Sequence, residues 1–186
     1  MLISHFRYLP RHDIALLCTL TKVYLGIIMR LRRMDLTNKL YKVFLIAGSE
    51  PLGTAGMQAD IKSVSACGGY AAGAITCIVD EDTIKVKSIH TIPPKMVTDQ
   101  AYSFLEDVGA DCIKTGMLYS KELVVAIGEV IKKQSIPVVI DPVMVSSAGD
   151  KLLQDDAIQA YKDCLFPHST IITPNRREAD LLLGKS

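Results

Sequence analysis

From residue 42 onward the apolar positions keep two alternating rhythms. In KVFLIA (42–47) five apolar side chains run together and Gly48 closes them, which predicts a buried strand. Met57, Ile61 and Val64 then fall at helical spacing, with polar residues between them. GAITCIV (73–79) predicts a second strand. TIPPKMVTDQAYSFLEDVG opens with prolines suited to a first helical turn, sets Val97, Ala101, Phe104 and Val108 on one face, and stops at Gly109. DCIKTGM predicts a short third strand. Ser120 suits the N-cap of a helix running to Lys133, with Leu123, Ile127, Val130 and Ile131 inward. IPVVI (136–140) is the fourth strand, 154–165 a helix, TIIT (170–173) the fifth strand, and READLLLG starts a final helix.

Apolar strands separated by helices imply a parallel sheet covered on both faces. A closed barrel needs eight such units, and the pattern offers five. The expectation is therefore an α/β fold: a doubly wound, mainly parallel sheet with helices on both faces. The 186 residues suffice for one domain with a substantial core. That domain is expected over residues 41–186, with residues 1–40 as an appendage outside it. The arm carries seven Lys/Arg against two Asp. Its apolar run, IALLCTLTKVYLGIIM (14–29), is broken by Lys22 and falls short of the roughly twenty residues of a membrane span. Arg-Leu-Arg-Arg stands where a signal peptide would have its cleavage site. The expectation is a cytoplasmic protein without a membrane partner, and Met34 as a natural start.

Composition narrows the function further. A formal net charge of +1 argues against a nucleic-acid partner. Five scattered cysteines (Cys18, Cys67, Cys77, Cys112, Cys164) form no C-x-x-C pair, so they read as buried small hydrophobes in a reducing compartment.

In an open parallel sheet, ligands bind beyond the carboxyl ends of the strands. Those ends here hold Gly48–Gly56, Asp80–Thr83, Thr115–Met117, Asp141-Pro142 and Thr173–Asn175, a row of polar and small residues. The turn LIAGSEPLGTAGMQAD (45–60) has the strand–turn–helix layout that can hold phosphate. Its spacing matches neither G-x-x-x-x-G-K-[ST] nor G-x-G-x-x-G. Asp141, leaving a buried strand, and Glu178, on the first turn of a helix, supply the oxygen ligands that Mg²⁺ takes. Glu178 also suits plain helix capping, Asp141 the capping of a neighbouring backbone, and Met117 plain core packing.

AGSEPLGTAGMQAD, KTGML, DPVMVSSAG and ITPNRREAD, in this order and spacing, resemble the hydroxymethylpyrimidine/phosphomethylpyrimidine kinases of thiamine biosynthesis, of the ribokinase-like fold. The resemblance covers about residues 42–184. It implies ATP-dependent phosphorylation of 4-amino-5-hydroxymethyl-2-methylpyrimidine and then of its monophosphate, with ATP and Mg²⁺ as cofactors and a homodimer as assembly. Gly48, Ala55, Val79, Glu81, Met117 and Val143 would contact the pyrimidine, Glu81 pairing with its amino edge. Asp141, Thr173, Asn175 and Glu178 would line the nucleotide, with Asp141 and Glu178 on the metal. A pyridoxal kinase-like enzyme and a non-catalytic pyrimidine-binding fragment are the alternative readings.

The resemblance places the anion hole and the proton-removing residue in a later G-T-G-x segment that these residues do not contain. It therefore implies little or no kinase activity for the 186 residues alone, and no catalytic residue within them. Glu50 stands where relatives have aspartate, and Thr54 where they have glycine, a poor choice for a positive φ. Asp82 replaces an asparagine, and Ser147 a frequent lysine.

Overall fold

Strand β1 (Lys42–Ser49) runs through the middle of the sheet, and all its residues from Val43 to Gly48 are buried. The computed structural model describes residues 39–145, 152–153 and 156–184. The expectations for the N-terminal arm, Cys18, Ser147 and positions 154–155 lie outside the described residues. After β1 come α1 (Gly56–Ala66), β2 (Tyr70–Glu81), β3 (Val86–Thr91) and α2 (Pro94–Asp107). They are followed by β4 (Cys112–Thr115), α3 (Lys121–Lys132) and β5 (Val138–Ile140). A short α4 (Ala157–Ala160) continues as a π turn (Tyr161–Leu165) and a 3₁₀ turn (Phe166–His168). β6 (Ile171–Ile172) and α5 (Arg176–Leu182) complete the described chain.

The sheet has six strands in the order β3-β2-β1-β4-β5-β6. Every pairing is parallel except β2 with β3, which is antiparallel. The doubly wound, mainly parallel sheet is thus present, with one strand more than the sequence pattern offers. β1 has β2 on one side and β4 on the other, so the winding direction reverses there. The crevice beyond such a reversal is where open α/β sheets take ligands.

Alternation along β1 accounts for the layering. Phe44 and Ile46 pack with Val97 and Ala101 of α2 and Leu123, Ile127 and Ile131 of α3 in the main core. Phe44 stacks on Phe104, with ring centroids 4.8 Å apart. Leu45 and Ala47, equally buried, point the other way. On that second face Met57 of α1 approaches Gly73 so closely that a Cβ there would lie 2.8 Å from its methyl carbon. Two helical positions differ from the pattern: Ile61 and Val108 are exposed rather than inward. Ser120 caps α3 as expected, its hydroxyl accepting the Leu123 N–H at 3.3 Å. Of the described cysteines, Cys77 and Cys112 are buried, Cys67 and Cys164 half-buried, and all four are free thiols. Burial pushes the Cys112 thiol up to about 12, with Asp111 adding to the shift.

Candidate active site

The glycine-rich turn after β1 is filled by one of its own side chains. The Glu50 carboxylate accepts backbone N–H groups from four consecutive residues. Leu52 and Gly53 donate to Oε2, Gly53 at 2.9 Å, while Thr54 and Ala55 donate to Oε1, Ala55 at 2.8 Å. Successive N–H groups converging in this way form an anion nest. Positive φ falls at Gly53 (+67°) and Gly56 (+56°), and Thr54 stays outside that region, so its replacement of a family glycine brings no backbone strain. A Cβ on Gly56 would lie 2.3 Å from the Gly48 carbonyl oxygen, so the start of α1 rests directly on Gly48.

Gly48 in turn faces an apolar cluster on the rim. A Cβ there would lie 2.9 Å from the Cys77 sulfur and 3.9 Å from the Met117 sulfur. Cys77, Val79, Met117 and Leu152 form this cluster, with Val143, Tyr119, Val86 and Ile89 against it. Four of the six expected ring-contacting residues (Gly48, Val79, Met117 and Val143) therefore meet. Glu81 ends β2 beyond the last pairing of β1, half-buried beside a bulge. Ala55 is exposed at the N-cap of α1, bound to Glu50 rather than packed in the cluster. Cys77, Leu152 and Tyr119 are additions that the sequence reading missed. Tyr119 holds φ +66°, a strained value for a bulky residue and of the kind that gathers at functional sites. Tyr119 also lines a cavity of about 300 Å³ with Thr76, Ile92, Leu118 and Ser120, and none of the six expected residues borders it.

The carboxylates gather at the ends of β5 and β6. Asp141 follows β5, its N–H donating to the Thr115 carbonyl at 3.0 Å, and Thr173 is tied to the Ile140 carbonyl at 3.0 Å. Burial raises the pKa of Asp141, opposed by the Lys114 ammonium and reinforced by Asp60. Asn175 and Glu178 cap α5 reciprocally: Glu178 Oε2 accepts the Asn175 N–H at 2.8 Å and Asn175 Oδ1 the Glu178 N–H at 3.0 Å. The capping role open to Glu178 is thus realised. Its Oε1 reaches back to the Met144 N–H at 3.4 Å. Burial brings the Glu178 pKa up to about 7, with the Asp141 charge adding and the two backbone N–H groups opposing. Asp80 is exposed in the β2–β3 hairpin, away from this group.

Among the described residues, no group of three or more His, Cys, Asp or Glu side chains is placed to hold a metal alone. Two carboxylates still suit Mg²⁺, which uses one or two of them and completes its shell with waters and substrate phosphates. Among the described residues the buried hydroxyl of Thr115, on the strand beside Asp141, has no hydrogen-bond partner, while that of Thr173 lies against the Asp141 carboxylate. Buried polar atoms ordinarily have one, and such an orphan fits a site that takes a polar guest.

Lys114 escaped the sequence reading. It lies in β4 between Leu45 of β1 and Val139 of β5, only 3% exposed. Its ammonium donates to Asp60 Oδ2 at 2.6 Å and stands 3.5 Å from Asp141 Oδ2. Burial works against the ammonium, but the two carboxylates outweigh it and hold its pKa above the ordinary lysine value.

The mainly parallel sheet, with apolar and carboxylate groups along one carboxyl rim, is that of the ribokinase-like small-molecule kinases on which it superposes. The chain belongs to the phosphomethylpyrimidine kinase family, whose model matches residues 50–186. It is 38% identical over 145 residues to the hydroxymethylpyrimidine/phosphomethylpyrimidine kinase of Mycobacterium leprae, covering 77% of this chain and 52% of that protein. The chain thus spans about half the length of that curated relative. The phosphomethylpyrimidine kinase of Clostridium difficile superposes with a TM-score of 0.72 at 35% identity, over 80% of this chain and 64% of the other. A Staphylococcus aureus pyridoxal kinase, solved with AMP-PCP and pyridoxal, gives 0.70 at 35% identity, over 79% and 52%.

Proposed function

We propose that this chain carries the ring pocket and the nucleotide-facing carboxylates of a thiamine-pathway hydroxymethylpyrimidine/phosphomethylpyrimidine kinase. Residues 41–186 make up the N-terminal part of the kinase fold, and residues 1–40 lie outside it. Segment 141–144 carries this reading. Asp141 gives the carboxylate, Val143 packs into the apolar cluster, and Met144 donates to Glu178. One short stretch therefore borders both the place for a flat ring and the place for a charged group.

The ring would pack against Val79, Met117 and Val143, with Gly48 letting it approach backbone. Glu81 would accept from the exocyclic amine. Asp141, Thr173, Asn175 and Glu178 would face the nucleotide, and Asp141 and Glu178 would hold Mg²⁺. Bound ATP would supply the phosphoryl group, and Mg²⁺ would neutralise the charge developing on it. In the transfer the hydroxymethyl oxygen would bond to the γ-phosphorus as the bond to the ADP oxygen breaks, and the hydroxyl proton would pass to the base that the resemblance places in the later G-T-G-x segment. The residues described here contribute orientation and charge, the main requirements of phosphoryl transfer. Among the described residues no helix is long and apolar enough to cross a membrane. On the family resemblance alone, we place the protein in the cytoplasm as a homodimer.

Calorimetric titration with 4-amino-5-hydroxymethyl-2-methylpyrimidine tests the ring pocket. Saturable binding, weakened at least tenfold by Gly48→Ala and Met117→Ala, is expected, and no binding by the folded protein overturns the reading. The likeness to pyridoxal kinases supports a second reading, a vitamin B6 kinase. Tighter binding of pyridoxal than of the pyrimidine would select it.

A further inference from the structure

Lys114 has no part in the scheme above, yet it is the charged residue placed deepest in the sheet. A buried ammonium is costly unless paired, and this one is paired unequally. Asp60 holds it at 2.6 Å, while Asp141 is 3.5 Å away. Asp60 sits on α1, the helix that leaves the Glu50 turn, and its grip fixes where the ammonium stands. Gly116 closes the space above: a Cβ there would lie 3.1 Å from Nζ and 3.2 Å from the Ala47 Cβ. Lys114 lies along the same face as Val139, and Asp141 is two residues further on, so the ammonium reaches the carboxylate from beneath the rim. Only Oδ2 of Asp141 is engaged in this way.

We propose that the Asp60–Lys114 pair is a fixed counter-ion that sets how strongly Asp141 attracts a divalent cation. The inference rests on the reading of Asp141 and Glu178 as metal-facing carboxylates. Lys114 is a positioning residue and touches neither ring nor nucleotide. Asp141 and Glu178 with full charge and no nearby ammonium would hold a divalent cation without nucleotide. Lys114 cancels part of that attraction. Metal then stays weakly held until nucleotide phosphates bring their own charge, so metal and nucleotide enter as one unit. Asp60 keeps the ammonium from closing fully onto Asp141 and abolishing the site. The charges of the triad sum to −1 with Asp60, Lys114 and Asp141 all ionised.

The test is Mn²⁺ binding to the nucleotide-free protein, followed by paramagnetic resonance, for the native chain and for Lys114→Met, Asp60→Asn, Lys114→Met/Asp60→Asn and Asp141→Asn. Lys114→Met should bind Mn²⁺ about tenfold more tightly, as expected for removing a unit charge a few ångströms away. Asp60→Asn, which frees the ammonium to close on Asp141, should bind more weakly. The double variant keeps the triad sum at −1 and avoids the two facing carboxylates that Lys114→Met alone would leave. It should fold even if Lys114→Met does not, and it should still bind more tightly than the native chain. A merely structural lysine would lower the unfolding temperature without ordering the affinities in this way. Folded Lys114 variants with native Mn²⁺ affinity, alongside loss of binding in Asp141→Asn, would overturn the inference and leave the metal reading standing. Unchanged binding in Asp141→Asn, or no binding by any variant, would overturn both.

Discussion

The Oε1 atom of Glu50 accepts a hydrogen bond at 2.8 Å from the backbone N–H of Ala55, five residues further along. Three more N–H groups of the same turn donate to that carboxylate. A strand–turn–helix layout that in other proteins receives phosphate is here occupied by an internal anion.

Glu50→Ala should therefore leave a run of N–H groups without their acceptor. We expect a loss of about 2–3 kcal/mol in urea unfolding, since some of the freed groups regain water in this partly exposed turn. Glu50→Asp should recover part of the loss. Native stability in the alanine variant would show that the nest contributes nothing.

Gly56→Ala combines a left-handed backbone with a Cβ placed 2.3 Å from the Gly48 carbonyl oxygen. The conformational strain alone is worth about 1–2 kcal/mol, and the clash adds to it. The substitution should lower the unfolding midpoint and weaken pyrimidine binding together. Gly184→Ala shares the positive φ but meets nothing within 4 Å, so it should cost only the strain.

Glu178 gives the metal-free protein a pH dependence of definite sign. Its folded pKa, about 7, lies above its ordinary value of 4.5. Between those values the folded state binds more protons than the unfolded state, so stability falls as pH rises through that window. Asp141, also raised, acts in the same direction. Glu178→Gln keeps an acceptor for the cap and should flatten the fall in unfolding temperature between pH 4.5 and 7. An equally steep fall in the variant would assign the effect elsewhere.

β1, β4 and β5 were legible because their side chains are buried on both sides, and the helices because their inward residues recur at helical spacing. KVFLIA cannot be read as anything but interior. β3 was not, since VKSIHT lies at the edge with only Val86 and Ile89 half-buried and has no apolar run to signal it. β6 is two residues long, and the α4 helix passes into a π turn, a change that hydrophobic spacing does not mark. The rim residues followed from their positions after strands. Lys114 carried a signal that was passed over: a lysine inside a strand flanked by apolar strands needs a buried partner. The fourfold grip on Glu50 carried none, because it depends on the path of the turn and not on residue type.

Gly56 rests on the Gly48 carbonyl and cannot gain a side chain without displacing it, while a side chain on Gly48 would press on the Cys77 sulfur. The turn's flank of the pocket is therefore frozen in shape, and any change in which ring is preferred must be made across from it. Cys77, Met117 and Tyr119 form that adjustable wall, and they are the positions at which to retune this protein toward a larger or more polar guest.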